Sequence, residues 1–174
     1  MTAVAMWHGP MLAQEKVTIA PRATGASLTR TLADLGAQLL VKTLPRYLAG
    51  SLQPHPQDHS KATVTNILTR EDGAIDWKKS VEEIDRQVRA YHPWPGTYSC
   101  WQGKRLKILE AQPATQAQTG SPGKVTAHDD KMFVLTGKGT LQLENVQLEG
   151  SKPQSALDFL RGHSAINGST LEQC

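Results

Sequence analysis

Cysteine is nearly absent from this chain. There are two in 174 residues, Cys100 and the terminal Cys174. Two distant thiols make no disulfide framework and no metal-ligand spacing, so the expectation is a pair of free thiols in a reducing cytosol. Aromatic residues make up only 5% of the chain and hydrophobic residues 39%. No long apolar run is present; stretches such as Leu39-Leu40-Val41 are far too short to span a bilayer. The first seven residues, Met-Thr-Ala-Val-Ala-Met-Trp, have neither the basic region nor the apolar core of a signal peptide. The expectations are a cytoplasmic protein and no membrane partner. A net charge of +3 is mildly basic. It permits a nucleic-acid partner without requiring one. Internal repeats are absent too.

What is present begins with a short extended stretch, Lys16-Val17-Thr18-Ile19, read as a strand closed by Pro21. Leu28, Leu32, Leu35 and Leu39 follow at helical spacing, with Thr24 as an N-cap candidate. Gly36 weakens that helix, and Pro45 is expected to end its regular part or to start a new short turn at Arg46-Tyr47-Leu48. These leucines form one stripe that needs a partner surface. Residues 50–61 carry Pro54 and Pro56 and read as an extended linker. The division is then 1–50, a linker at 51–61, and a second domain at 62–174.

The second domain opens with an extended Thr- and Val-rich segment, Ala62 to Leu68, and a turn at Glu71-Asp72-Gly73. Ser80 and Glu83 form a capping box at the start of a helix. Val81, Ile84, Val88 and Tyr91 share its apolar face. Glu82/Arg86 and Asp85/Arg89 are i,i+4 ion-pair candidates on the others. His92 precedes Pro93, which stops the helix near Tyr91. Pro95-Gly96 fits the centre of a type II turn. Strand patterns then alternate with turns: Thr97–Trp101, a Gln102-Gly103 turn, Arg105–Ala111, a loop over 112–123, Lys124–His128, an Asp129-Asp130 turn, Lys131–Leu135 and Thr140–Leu148. Short strands at this spacing suggest a small antiparallel barrel. Ser155 and Asp158 cap a last helix, with Gly162 expected just beyond its end. The fold class expected is α+β.

Several stretches resemble methionyl-tRNA formyltransferases of bacterial type. They are Gln57-Asp58-His59-Ser60-Lys61-Ala62-Thr63, Thr69 to Trp77, Arg86-Gln87-Val88-Arg89-Ala90-Tyr91, Pro93-Trp94-Pro95-Gly96 and Leu157 to Gly162. Gly9 to Gln14 and the Ala33–Leu44 helix resemble the end of that family's catalytic domain. The resemblance implies that residues 1–50 are the remnant of a Rossmann-like domain and that 62–174 form an OB-like barrel with one internal helix and a short C-terminal one. It implies formyl transfer from 10-formyltetrahydrofolate to initiator methionyl-tRNA. It places the family's Asn and His before residue 1 and its Asp at the position of Trp7. An indole cannot take the proton-handling role of a carboxylate, and the neighbouring His8 has no visible partner. No catalytic, folate-binding or metal residue is therefore carried over, and the expected role is weak tRNA contact by a chain lacking the catalytic half.

Lys61, Arg70, Lys78, Lys79, Arg86, Arg89, Lys104, Arg105 and Lys107 are the candidates for phosphate contact. Arg donors match phosphate geometry, and a basic barrel face is a frequent nucleic-acid surface. Each cluster is equally readable as a solvated face. Two alternatives stand beside this reading. One is the tail of a nucleotide-sugar formyltransferase or of a formyltetrahydrofolate-dependent enzyme. The other is a free-standing module that associates with a separate catalytic chain, or with itself, through the Leu28–Leu48 helix.

Overall fold

The structure is a computed structural model and describes residues 9–115 and 120–174. Trp7 and His8 lie outside the described residues, as does part of the 112–123 loop. The chain forms two compact units. One comprises Pro21 and the described residues before it together with Ala26–Ile67; the other comprises Arg22–Gly25 and Leu68–Cys174.

The first unit is built around a long helix, α1 (Gly25–Leu48), whose first residue counts with the second unit. The helix runs through Pro45 rather than ending there. A proline removes the amide that would reach back four residues, and its ring crowds the carbonyl there. Here that loss falls in the last turns, on a face where Val41 is 73% exposed. The extended Lys16–Ile19 stretch is not a strand. The pairing in this part of the chain is instead between Met11 and His55, which exchange two backbone hydrogen bonds of 2.8 Å. Ala62 to Leu68 is likewise outside any strand.

The second unit contains the core: among the described residues, every buried hydrophobic side chain lies at Ile75 or beyond. Helix α2 (Val81–Ala90) begins with the expected capping box. Ser80 accepts from the Glu83 amide, and the Glu83 carboxylate accepts from the Ser80 amide. Val81, Ile84 and Val88 are buried as their spacing requires. Of the two ion pairs expected on α2, Asp85–Arg89 forms at 3.0 Å. Glu82 and Arg86 are both exposed and form no ion pair among the described residues.

The strands are β1 (Thr97–Trp101), β2 (Lys104–Pro113), β3 (Val125–His128), β4 (Lys131–Leu135), β5 (Thr140–Leu148) and β6 (Gln154–Ser155). They pair antiparallel in the order β1-β2-β5-β4-β3, with β6 beside β5. Both tight hairpin turns use positive φ: Gln102 and Gly103 at 50° and 73°, Asp129 and Asp130 at 51° and 57°. That conformation matches the natural strand twist. Gly96 takes φ 76°, as its turn position requires.

The expected closed barrel is not what forms. Strands β1 and β3 are the two ends of the sheet and do not pair with each other. Between them runs the C-terminal segment. Val125 donates to Ser169 and Leu171 to Gly123, both at 2.8 Å, while Cys100 and Glu172 exchange bonds of 2.8 and 2.9 Å. An edge strand exposes unpaired main-chain groups, and this strap satisfies some of them on each edge. Helix α3 (Ala156–Gly162) is capped by Ser155. It keeps Gly162 as its last residue, with His163 as the C-cap.

The longest pairing, β2 with β5, changes phase in mid-strand. Leu106 and Ile108 point inward, and then Ala111 does; across from them Leu148 and Val146 are buried, and then Leu143 and Leu141. The register is irregular on both sides of Glu110. Side chains alternate strictly along a strand, so a change of parity in one strand must be met in its partner or a core residue turns outward. Both strands shift at the same place.

Candidate nucleic-acid interface

The basic candidates fall into distinct settings. Lys61 belongs to the first unit. It is exposed, and its ammonium lies 3.2 Å from Asp58. Asp58 itself is held below the usual carboxylate range, first by the Ser60 hydroxyl and then by Lys61. Arg70 is exposed at the head of the short turn Glu71–Gly73. Lys78 and Lys79 are exposed on the loop into α2. Lys79 and Arg86 line a hollow of about 590 Å³ together with Glu71, Asp72, Asp76 and Glu83. Carboxylates outnumber cations there, so that hollow does not concentrate positive charge.

Arg89 is committed within the unit. Its Nε donates to Asp85 at 3.0 Å, and its Nη1 donates to the Ala23 carbonyl at 2.9 Å. Asp85 takes a second arginine, Arg22, at 2.7 Å, and Arg22 also donates to the Ala111 carbonyl. Side-chain exposure is 8% for Asp85, 18% for Arg89 and 56% for Arg22. One nearly buried carboxylate thus fastens residues 22–25 to α2 and β2. Gly25 fits the same junction, since an added Cβ would run into the Ala90 carbonyl oxygen. The resemblance pointed to Arg89 but not to Arg22. Nothing in the spacing links residue 22 to residue 85.

The remaining cluster is on the β1–β2 hairpin. Arg105 and Lys107 are two residues apart on β2 and are both exposed, while Leu106 and Ile108 point into the core. Their side chains therefore share the outer face. The register places Tyr98 opposite Lys107 and Gln147 opposite it on β5. The Arg105 guanidinium lies 4.2 Å over the Tyr98 ring. The two cations line a hollow of about 230 Å³ with Gln147, Leu148, Glu149 and Gly150. Glu149 is tied to the Arg105 amide at 3.1 Å. Glu71 feels Arg105 as well. Its carboxyl is held below the usual range mainly by its own backbone amide, then by Thr69 and, more weakly, by Arg105. Lys104 is exposed beside the Gln102-Gly103 turn, at the other parity of β2. Tyr98, Gln147 and Glu149 were missed in the sequence because each acquires its place through strand register.

This face offers a forked guanidinium 4.2 Å over an aromatic ring, an ammonium two residues away on the same strand, and the Gln147 amide opposite that ammonium on β5. Such a set binds phosphate oxygens and sugar or base edges. Among the described residues, no group of three or more His, Cys, Asp or Glu is arranged to hold a metal ion. No described helix is long and apolar enough to cross a membrane.

The thiols are the clearest departure from the sequence reading. Cys100 and Cys174 are joined in a disulfide, with Cα atoms 5.2 Å apart at a sequence separation of 74. The strap explains it: pairing Glu172 with Cys100 brings the chain end alongside β1.

Residues 67–164 match the family described as formyl transferase, C-terminal domain. A methionyl-tRNA formyltransferase of Roseiflexus castenholzii is 43% identical over 164 residues, covering 94% of this chain and 52% of that protein. One from Chloroflexus aurantiacus is 44% identical over 164 residues, covering 93% and 53%. The chain spans about half the length of the curated relatives it matches. Among solved structures, HypX from Aquifex aeolicus in complex with tetrahydrofolic acid superposes with a TM-score of 0.66 at 22% identity, over 88% of this chain and 27% of HypX. That likeness speaks to the fold.

Proposed function

The chain belongs to the formyl transferase C-terminal domain family, and from that premise we propose that it serves as the RNA-holding carboxyl-terminal part of a methionyl-tRNA formyltransferase. The reaction served is formyl transfer from 10-formyltetrahydrofolate to the amine of initiator methionyl-tRNA. The identity of 43–44% to enzymes of that name supports this reading over the tail of a sugar-modifying enzyme. In this division of labour, residues 62–174 contact the tRNA. Residues 1–50 are the end of the catalytic domain, with 51–61 as the linker. The folate cosubstrate is handled by the half of the relatives that this chain does not span.

The observation that carries the RNA role is the Arg105–Tyr98–Lys107 face. Stacking on Tyr98 restricts the guanidinium before any ligand arrives, so less side-chain entropy is lost on contact. Arg70, Lys78, Lys79 and Lys104 add solvated charge on the same unit and Arg86 lies on α2, while Arg89 and Lys61 already have acidic partners.

Filter binding of initiator tRNA over a salt series tests the reading. Phosphate contacts give a log K that falls linearly with log[salt], by ~0.7–0.9 per phosphate. Arg105→Ala with Lys107→Ala should weaken binding and reduce the slope by about 2, one per cation removed. A flat salt series, or no binding at low salt, refutes it.

The exposed apolar residues of α1 favour a protein partner as well. Leu40, Val41, Leu44 and Leu48 are all open to solvent, a face suited to a catalytic half or a second copy. A concentration-independent monomer in sedimentation, unchanged by an added catalytic half, would remove this second reading.

A further inference from the structure

The strap that lies between the two sheet edges is unequally held. On the β3 side it is anchored by main-chain bonds from Gly168 to Val125 at 2.9 Å, Val125 to Ser169 at 2.8 Å and Leu171 to Gly123 at 2.8 Å. The Leu171 side chain is buried in the core there. Gly123 (φ 86°) lets the strap pass close, since an added Cβ would stand 2.6 Å from the Leu171 carbonyl oxygen. On the β1 side the hold is thinner. Cys100 and Glu172 exchange one pair of backbone bonds, and the Ser99 hydroxyl donates to the Glu172 carbonyl at 2.6 Å. Ser99 in turn accepts from the indole of buried Trp77 at 2.9 Å. Glu172, Gln173 and Cys174 are exposed. What fixes this end covalently is the Cys100–Cys174 bond, on the last residue of the strap.

We propose that this disulfide is a thiol-responsive latch: opening it frees the outer end of the strap from β1 while the inner end stays docked on β3. The chemistry is thiol–disulfide exchange with a dithiol reductant. A thiolate attacks one sulfur of the bond and forms a mixed disulfide, releasing the other cysteine as thiolate. The second thiol of the reductant resolves the mixed disulfide. Two electrons pass to the protein sulfurs, which take up two protons, and the reductant leaves as its cyclic disulfide. The released edge includes Cys100, whose register partner on β2 is Arg105. The latch therefore adjoins the basic face, a connection that rests on the function proposed above. The latch itself does not.

Hydrogen exchange on the whole chain, with and without dithiothreitol, tests the latch with no RNA present. Without reductant, denatured protein should yield no thiol to an alkylating reagent; with reductant, it should yield two. Reduction should speed exchange of the Cys100 and Glu172 amides at least tenfold. The Val125 and Leu171 amides should change by less than threefold. Cys174→Ser should show the fast pattern from the start and ignore dithiothreitol, and Cys100→Ser should match it. The proposal is overturned if the two β1-side amides keep their protection after reduction, if protection is lost throughout the second unit, or if two free thiols are found before any reductant is added.

Discussion

Replacing Asp85 with alanine should be the most damaging single loss of charge in this chain. The carboxylate is 8% exposed and receives two arginines, Arg89 at 18% exposure and Arg22 at 56%. Arg22 faces solvent over half its surface, so its share of the network is screened and worth about 1 kcal/mol or less. Arg89 is different. Without Asp85 it keeps, among the described residues, only the Ala23 carbonyl and leaves a cation enclosed by protein. Breaking an enclosed pair from one side costs roughly 3–5 kcal/mol. The residual exposure of Arg89 argues for the lower end, about 3 kcal/mol. For a chain of this size that is a fall in Tm of about 6–12 °C. Thermal unfolding followed by circular dichroism reads it directly. Arg22→Ala should cost a third as much or less. Adding Arg89→Met to Asp85→Ala should recover part of the loss, because it removes the stranded charge. If Asp85→Ala costs less than about 1 kcal/mol, or Arg22→Ala costs as much as Asp85→Ala, the clamp does not work this way.

Two glycines should respond in opposite directions. Gly137 donates to the carbonyls of Trp77 and Lys79, and an added Cβ would overlap the Lys78 carbonyl oxygen, so Gly137→Ala should cost about 2–3 kcal/mol in denaturant unfolding. Gly36 has open space around it in α1, so Gly36→Ala should gain up to about 1 kcal/mol of helix stability there; a loss at Gly36, or a neutral result at Gly137, would contradict the packing described. Glu83 gives a pH signature. The Ser80 hydroxyl and amide hold its carboxyl below the ordinary glutamate range. A depressed folded-state value means the contribution is present at neutral pH and fades as pH falls through the acidic range. Glu83→Gln should therefore flatten the acid limb of an unfolding pH series and leave the neutral region little changed; an unaltered acid limb would rule the capping box out as its source.

Local chemistry was legible and long-range closure was not. The Ser80 box, the apolar face of α2, the Asp129-Asp130 hairpin and the bounds of β1 and β5 follow from residues within a few positions of each other. Pro45 misled because its cost is confined to one turn, and a helix with more than five turns already formed before it absorbs that cost. Lys16–Ile19 misled because alternation marks a strand only if something pairs with it. The open sheet and the disulfide were invisible for one shared reason. Both depend on residues 168–174 returning to lie between β1 and β3, and no periodicity in those seven residues announces it. On the basic face, Arg105 and Lys107 were visible as charges, but Tyr98 joins them only through the β1–β2 register.

The matched slip in β2 and β5 sets a rule for anyone recombining this domain with its relatives. Swapping the segment around Glu110 without the one around Asn145 would leave one strand out of step. Each inward side chain on the far side of the splice would then be presented to water. Crossover points in a chimera should therefore treat residues 108–111 and 143–146 as a single inherited block, although more than thirty positions separate them along the chain.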